Sequence, residues 1–210
     1  SSNNTSAELT GAHDPKLFLK SLDLGWNHLH PERPGQKGFL KALQQLIENP
    51  TLGPTTVRLE RCGLGPSACR AIGKGIINRC NGKDKENVPP FSLFLCGNPA
   101  TGDAGAAALA AAIRTIASSE NSDGCVVFES LDLSACGIGD AGAEALALAI
   151  EDTPDCCIRH LNLSNNQITD QGAGALGRAL TSGGQGGGGP RLLHLDLSNN
   201  KDIGDRGVSA

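Results

Sequence analysis

Six times along this chain a short stretch returns in the same order: "LFLKSLDLGWNHL", "TTVRLERCGL", "FSLFLCGNPA", "FESLDLSACGI", "IRHLNLSNNQI" and "LLHLDLSNNKDI". Each holds an apolar-x-apolar pair and, three residues after the second apolar position, Asn or Cys: Asn27, Cys62, Asn98, Cys136, Asn166 and Asn200. Successive markers lie 35, 36, 38, 30 and 34 residues apart. A period of that size makes each unit one supersecondary element, too small to bury its apolar side alone. Neighbours must stack to form a core, so the chain is restricted to a one-dimensional array.

Within each unit the alternation specifies a strand. Leu22/Leu24, Val57/Leu59, Leu93/Leu95, Leu131/Leu133, Leu161/Leu163 and Leu195/Leu197 point to one face, where only the next coil and a helix behind it can cover them. The Asn that follows sits where the chain turns away, and its amide can satisfy turn backbone groups of its own coil and the adjacent one. Cys, small and weakly hydrogen-bonding, fits the same slot. A second register follows in "GDAGAAALAAAI", "GDAGAEALALAI", "TDQGAGALGRAL" and "GDRGVSA". Asp103, Asp140, Asp170 and Asp205 fall where a helix N-cap is expected. Leu109/Ile113, Leu146/Ile150 and Leu176/Leu180 recur at helical spacing, and Gly105, Gly142, Gly172 and Gly207 share one position that lets helices approach closely.

These copies resemble leucine-rich repeat proteins of the ribonuclease-inhibitor type, whose signature L-x-x-L-x-L-x-x-N/C-x-L is nearly complete in "FESLDLSACGI" and "IRHLNLSNNQI". The resemblance implies an α/β solenoid: a right-handed β-α superhelix, a horseshoe with a curved parallel sheet of about six strands and helices on the convex side. It covers residues 16–210 as a repeat domain of six units, the last one truncated, and leaves 1–15 as a tail or the remnant of a preceding unit. Because the last unit stops at "GDRGVSA", the parent chain is expected to continue with more helix, or a partner to cover that edge.

Composition narrows the functional classes. Aromatic residues make up 3% of the chain, with one Trp and no Tyr or Met, so the interior must be Leu, Ile, Val and Ala. A net charge of -4 argues against a surface made for nucleic acid or anionic membrane. No apolar run approaches the roughly 20 residues of a membrane helix. The opening "SSNNTSAELTGAHDP" has neither a basic start nor an apolar stretch, which predicts no retained secretory signal, and a start without Met suggests an excised or processed fragment.

Two motifs suggest chemistry. Gly172, Gly174 and Gly177 in "QGAGALGRAL" follow the G-x-G-x-x-G order of a dinucleotide loop. Gly172, however, has counterparts in units lacking the rest of the fingerprint, and the helix is expected to start several residues after its strand, so the structural reading is preferred and no cofactor is expected. Among the eight cysteines, Cys156 and Cys157 precede His160 without a second C-x-x-C or His pair, so no metal site is expected. Cys62 and Cys136 are turn residues, Cys69 lies on a helix face, and Cys80, Cys125 and the 156/157 pair sit in or beside connections. Free thiols in a reducing cell are the preferred reading, which places the protein in the cytoplasm, with nucleus and cilium as alternatives. The connections at 78–90, 117–124 and 182–190 are rich in Gly, Ser, Pro and charge, and emerge on one edge either as tolerated insertions or as a binding rim.

Function is expected on the face the strands leave open: Ser21, Asp23 and Trp26; Arg58, Glu60 and Arg61; Phe94; Asp132; His160, Asn162 and Asn165; His194, Asp196 and Asn199. From these we take Trp26, Arg58, Arg61, Phe94, Asp132, His160 and His194 as partner-binding candidates, since Trp, Arg and Phe are enriched among interface hot spots. The competing structural reading has Trp26 shielding the open end of the stack and Asp23 pairing with Arg58. No nucleophile-bearing turn supports a catalytic constellation, so no enzyme is expected. The resemblance implies a protein-interaction scaffold that binds a protein or larger assembly, without nucleic acid, membrane or small-molecule cofactor. The alternative it implies is a regulator resembling the Ran GTPase-activating proteins, whose acidic tail is absent here.

Overall fold

The computed structural model of the chain describes residues 19–29, 37–49, 53–81, 89–118, 128–153, 158–182 and 192–204. The expectations for the tail at 1–15, for Cys125, Cys156 and Cys157, for Asp205 and Gly207, and for most of the three long connections lie outside these residues.

Strand and helix alternate throughout: β1 (Ser21–Asp23), α1 (Lys37–Glu48), β2 (Thr56–Arg58), α2 (Pro66–Cys80), β3 (Phe91–Phe94), α3 (Gly102–Ala117), β4 (Phe128–Asp132), α4 (Asp140–Glu151), β5 (Ile158–Asn162), α5 (Asp170–Ser182) and β6 (His194–Asp196). The six strands form one open parallel sheet in sequence order. Its central register runs Leu22, Val57, Leu93, Leu131, Leu161, Leu195, each the direct partner of the next. This is the alignment the repeat demands. A bulge between Phe91 and Ser92 lets strands β4 and β5 carry one extra residue each, Glu129 and Arg159, whose side chains pair at 3.0 Å.

Parallel strands sit about 4.8 Å apart, whereas helices need about 10 Å. One helix per strand therefore bends the sheet, with strands inside and helices outside. The core fills the space between: Val57, Leu59, Leu93, Leu95, Leu131, Leu133, Leu161 and Leu163 from the strands meet Ile72, Leu109, Leu146 and Leu176 from the helices, all fully buried. At the terminal rungs Leu22 and Leu195 are only partly covered. No helix among the described residues is long and apolar enough to cross a membrane.

Apolar burial does not by itself hold the turns. Asn98 accepts hydrogen bonds from the Cys62 and Leu64 N–H groups at 2.9 and 3.0 Å and donates to Leu59 O and Leu95 O at 2.9 and 2.7 Å. Asn166 does the same for Cys136 N–H, Ile138 N–H, Leu133 O and Leu163 O. Asn200 serves Ile168 N–H, Leu163 O and Leu197 O. Each amide thus stitches its own turn to the preceding one. The cysteines do half of this: Cys62 Sγ donates to Leu24 O at 3.0 Å and Cys136 Sγ to Leu95 O at 3.2 Å. Burial pushes the Cys136 thiol up to about 12, so it remains the protonated donor that this contact needs.

The aspartates act differently from the expectation. Asp103 and Asp140 lie inside the first turns of α3 and α4, whose N-cap positions are Thr101 and Gly139, and neither N-cap residue supplies a side-chain cap. Their carboxylates reach forward. Asp103 Oδ1 accepts from Gly139 N–H at 2.7 Å and Gly142 N–H at 2.9 Å, both at the start of α4. Asp140 accepts from Thr169 N–H, the Thr169 hydroxyl and Gly172 N–H at 2.8, 2.7 and 2.9 Å, and Asp170 from Gly204 N–H at 2.7 Å. Asp103 and Asp140 each cap the helix start of the following unit, because these helices stack with their N-termini side by side. The shared glycine makes room: a Cβ on Gly172 would stand 2.6 Å from Asp140 Oδ1 and 3.1 Å from the Ala143 Cβ.

This placement also settles the glycine fingerprint. Strand β5 ends at Asn162 and α5 begins at Asp170, so Gly172, Gly174 and Gly177 lie within the helix, and the Gly172 N–H is already bonded to Asp140. A pyrophosphate cradle needs free N–H groups at a strand-to-helix turn.

At the other helix end, Arg79 takes a slot that Ile116 and Thr153 fill in the next units. It is buried, and its Nη1 donates to Ile47 O at 3.2 Å, Asn49 O at 3.1 Å and Pro54 O at 3.4 Å, closing the C-terminus of α1 from unit 2. Its Nε and Nη2 have no hydrogen-bond partner among the described residues.

Three outcomes are expected. Asn98→Ala removes partners from four buried backbone groups and should lower unfolding free energy by about 3 kcal/mol or more in urea denaturation. Asn27→Ala, whose amide serves only Leu24 O and Gly25 O, should lose about 1 kcal/mol. For Asp140, burial works to raise the pKa, but the bonds from Thr169 and Gly172 together outweigh it and hold the carboxyl below its ordinary value. Its stabilisation is therefore full above the unfolded pKa, near 3.9, and is lost as pH falls through the lower folded value. The stability difference between wild type and Asp140→Ala, about 1 kcal/mol at neutral pH, should vanish across that acid window.

Candidate functional site

The open face presents three rows. The first is Ser21, Thr56, Ser92, Ser130, His160 and His194, and the second Asp23, Arg58, Phe94, Asp132, Asn162 and Asp196. A third follows in the turns beyond the strands, where Trp26, Arg61, Gly97, Ala135, Asn165 and Asn199 all adopt positive φ, from 52° to 73°. That conformation is imposed by a ladder: the N–H groups of Trp26, Arg61, Gly97, Ala135 and Asn165 each donate to a carbonyl of the next unit, at 2.7 to 3.0 Å.

In units 1, 4, 5 and 6 the second row is short and acidic or amidic, and it closes the turn. Asp23 Oδ1 accepts from Gly25 N–H, Asp132 Oδ1 from Ser134 N–H and its hydroxyl, Asn162 Oδ1 from Ser164 N–H, and Asp196 Oδ1 from Ser198 N–H. The bonds from Ser198, with the nearby His194, hold Asp196 below the usual carboxylate range. Units 2 and 3 give up this device. Their second-row residues are Arg58 and Phe94, neither of which can accept from the turn.

What replaces it is a cluster of stacked side chains. The Arg58 guanidinium lies 4.1 Å from the Phe94 ring centroid, and Arg61 lies 4.5 Å from that of Trp26. Arg58 Nη1 is also 3.1 Å from Glu60 Oε1. Asp23 is its direct strand partner but is turned to Gly25, so the expected Asp23–Arg58 pair gives way to Arg58–Glu60. Trp26 does not shield the end of the stack. It is 72% exposed, and its ring meets unit 2 through Arg61. Gly97 completes the arrangement, since a Cβ there would stand 2.6 Å from Arg61 Cγ. Sequence reasoning passed over this glycine. The signal was its register with Trp26 and Arg61, two bulky residues in a slot that suits Gly and Asn.

Of the seven candidates, then, Trp26, Arg61, Arg58 and Phe94 come together across units 1 to 3. His160 and His194 form a separate pair at the other end, with ring centroids 6.4 Å apart. Contact at 3.1 Å with Glu129 O, which can only accept, makes His160 Nδ1 the protonated nitrogen. Asp132 lies between the groups and is engaged by Ser134. Among the described residues no set of three His, Cys, Asp or Glu could hold a metal.

An open parallel sheet of equivalent rungs, helices behind and polar or aromatic side chains in front, defines a β-α solenoid whose strand face is free for contact. A family model described as Leucine Rich repeat matches residues 17–32, 124–147, 155–177 and 191–210, which fall in units 1, 4, 5 and 6. The register adds units 2 and 3 as equivalent rungs, and the six-strand open parallel sheet with its helices has the architecture of a leucine-rich repeat solenoid. Such repeats generally mediate protein–protein interaction and are typically not enzymes.

Left-handed backbone costs a non-glycine residue about 1 to 2 kcal/mol, and an exposed cation–π contact returns about 0.5 to 1. Arg61→Asn exchanges the one for relief of the other. We expect its thermal unfolding free energy to stay within about 1 kcal/mol of wild type. A drop of more than about 2 kcal/mol would make Arg61 a structural residue.

Proposed function

We propose that this chain is an intracellular scaffold of the ribonuclease-inhibitor-like type that binds another protein across the open face of units 1 to 3. The subtype reading rests on the helices: α1 to α5 are full helices of 12, 15, 16, 12 and 13 residues, one behind each strand. The binding reading rests on one observation above the rest. Where four units place a turn-closing Asp or Asn, units 2 and 3 place Arg58 and Phe94, and the adjoining turns carry Trp26 and Arg61. The stacked pairs return about 0.5 to 1 kcal/mol each in place of the lost turn closure, and a patch of Trp, Arg and Phe is the composition of an interface hot spot. Asp132, His160 and His194 extend the same face as a polar flank. The compartment reading is supported by the cysteines: Cys62 and Cys136 work as thiol donors within the ladder, a use that a reducing cytoplasm preserves. Cilium and nucleus share that chemistry.

The test is affinity capture from the native cell with crosslinking at exposed lysines, Lys41 on α1 and Lys201 after β6. Wild type is compared with Trp26→Ala/Phe94→Ala and with a helix-side control, Leu148→Ala. The expected result is a partner lost on the first variant, by about tenfold or more, and kept on the second. Equal recovery on both would move the interface off this face. Addition of the chain to a Ran-type GTPase should leave GTP hydrolysis at its basal rate; acceleration would favour the GTPase-regulator reading instead.

A further inference from the structure

The contacts around Trp26 and Arg61 go further than a general protein-binding face. Arg58 and Arg61 are both stacked on aromatic rings, but only one is neutralised. Arg58 has Glu60 at 3.1 Å, whereas the Arg61 guanidinium has no hydrogen-bond acceptor among the described residues. Stacking engages the flat face of a guanidinium and leaves its in-plane N–H groups free, which is the geometry that takes a carboxylate in two parallel bonds. The arrangement is held in place on three sides. Trp26 lies on one side at 4.5 Å, Gly97 admits the aliphatic stem on the other, and the backbone is fixed at φ 54° by the Arg61 N–H bond to Cys96 O.

Trp26 provides the second half of the recognition. The residue is 72% exposed although Arg61 lies against its ring, so an apolar side chain can still reach it. Trp26 and Arg61 occupy successive left-handed positions where the following units use Gly97, Ala135, Asn165 and Asn199. Trp26 and Arg61 share this left-handed backbone with Ala135, Asn165 and Asn199, but they alone of the row stack their side chains on each other. The anions nearby do not compete for Arg61: Glu60 is held by Arg58, and Asp23 is turned to Gly25.

We propose that the partner segment recognised by units 1 to 3 is acidic and apolar together, a protein segment that places an Asp or Glu carboxylate on the Arg61 guanidinium and an adjacent aliphatic or aromatic side chain on Trp26. This rests on the binding reading above and names the chemistry of its occupant. Net charge does not drive it, since the chain itself carries -4. The attraction is local, and it weakens with salt within the range of a Debye length.

The chain contains a single Trp, so its emission reports this contact directly. The probes are short acetylated peptides of one Gly-Ser frame with Glu-Leu-Glu-Leu, Gln-Leu-Gln-Leu, Lys-Leu-Lys-Leu or phosphoserine-Leu-phosphoserine-Leu at the centre. Each is titrated into the full chain, with anisotropy of a dye on the peptide as a second readout. The acidic peptide is expected to give a saturable change, the glutamine peptide to bind about tenfold or more weakly, and the lysine peptide not to bind. Arg61→Ala should abolish the difference between acid and amide. Arg178→Ala, on the outer side of α5, should keep it, and circular dichroism should show both variants folded.

Equal affinity for acid and amide, an unchanged Arg61→Ala, or no saturable binding up to about 1 mM would overturn the proposal. Binding of the phosphoserine peptide alone would overturn it too, assigning Arg61 to phosphate instead. If the peptides fail while the captured partner still depends on Trp26 and Phe94, the binding face stands and only the acidic occupant falls. If both fail, the face itself is wrong.

Discussion

A turn enclosed between two neighbours must find partners for its N–H and C=O groups, and in this chain the adjacent unit supplies them. Asn98, Asn166 and Asn200 reach back to the turn before their own, Asp103 and Asp140 reach forward to the start of the next helix, and Asp170 reaches forward to Gly204. Neither contact exists within an isolated unit. Burial of the leucine rows supplies the larger free energy, but it is non-directional and would tolerate slippage. The amide and carboxylate contacts fix which rung meets which, because a buried polar group left without its partner costs about 1 to 3 kcal/mol.

The same demand explains why the binding face is built as it is. Carrying each turn N–H to the next unit's carbonyl forces one residue per turn into left-handed backbone. That position is raised from the sheet and adjoins its equivalent in the next unit. Asn165 and Asn199 suit the conformation; Trp26 and Arg61 do not, and gain from it only each other. A side chain there is already positioned before any partner arrives, which reduces the ordering entropy of association. The ladder thus furnishes a fixed row of anchor points at the spacing of the strands, and units 1 and 2 use theirs for an aromatic ring and a cation.

Much of this was legible because repetition converts spacing into geometry. Leu22, Val57, Leu93, Leu131, Leu161 and Leu195 could be aligned from their pattern alone, and the same register placed Trp26, Arg58, Arg61 and Phe94 on one face. What escaped were choices between neighbours at similar range. The pattern showed that an aspartate belongs at a helix start but not which helix it serves, since Asp103 is as near in space to α4 as to its own first turn. Arg58 faces Asp23 across the strands, yet the Gly25 N–H had already engaged that carboxylate, leaving Glu60. Gly97 carries no mark of its own in the repeat, and its role appears only with Arg61 lying over it. Arg79 likewise breaks no pattern, and only the approach of the α1 carbonyls shows why it is buried.

Because amides point back and carboxylates point forward, the junctions of unit 4 with 5 and of unit 5 with 6 are fastened twice, in opposite directions, by residues on different sides of each. Removal of one complete period leaves a joint of the same kind behind. A deletion or splice that falls within a period instead strips a donor set from one side and a cap from the other. Evolution of such a chain is therefore quantised: its length can change by whole periods with little disturbance, while any fraction of one opens the stack at two places.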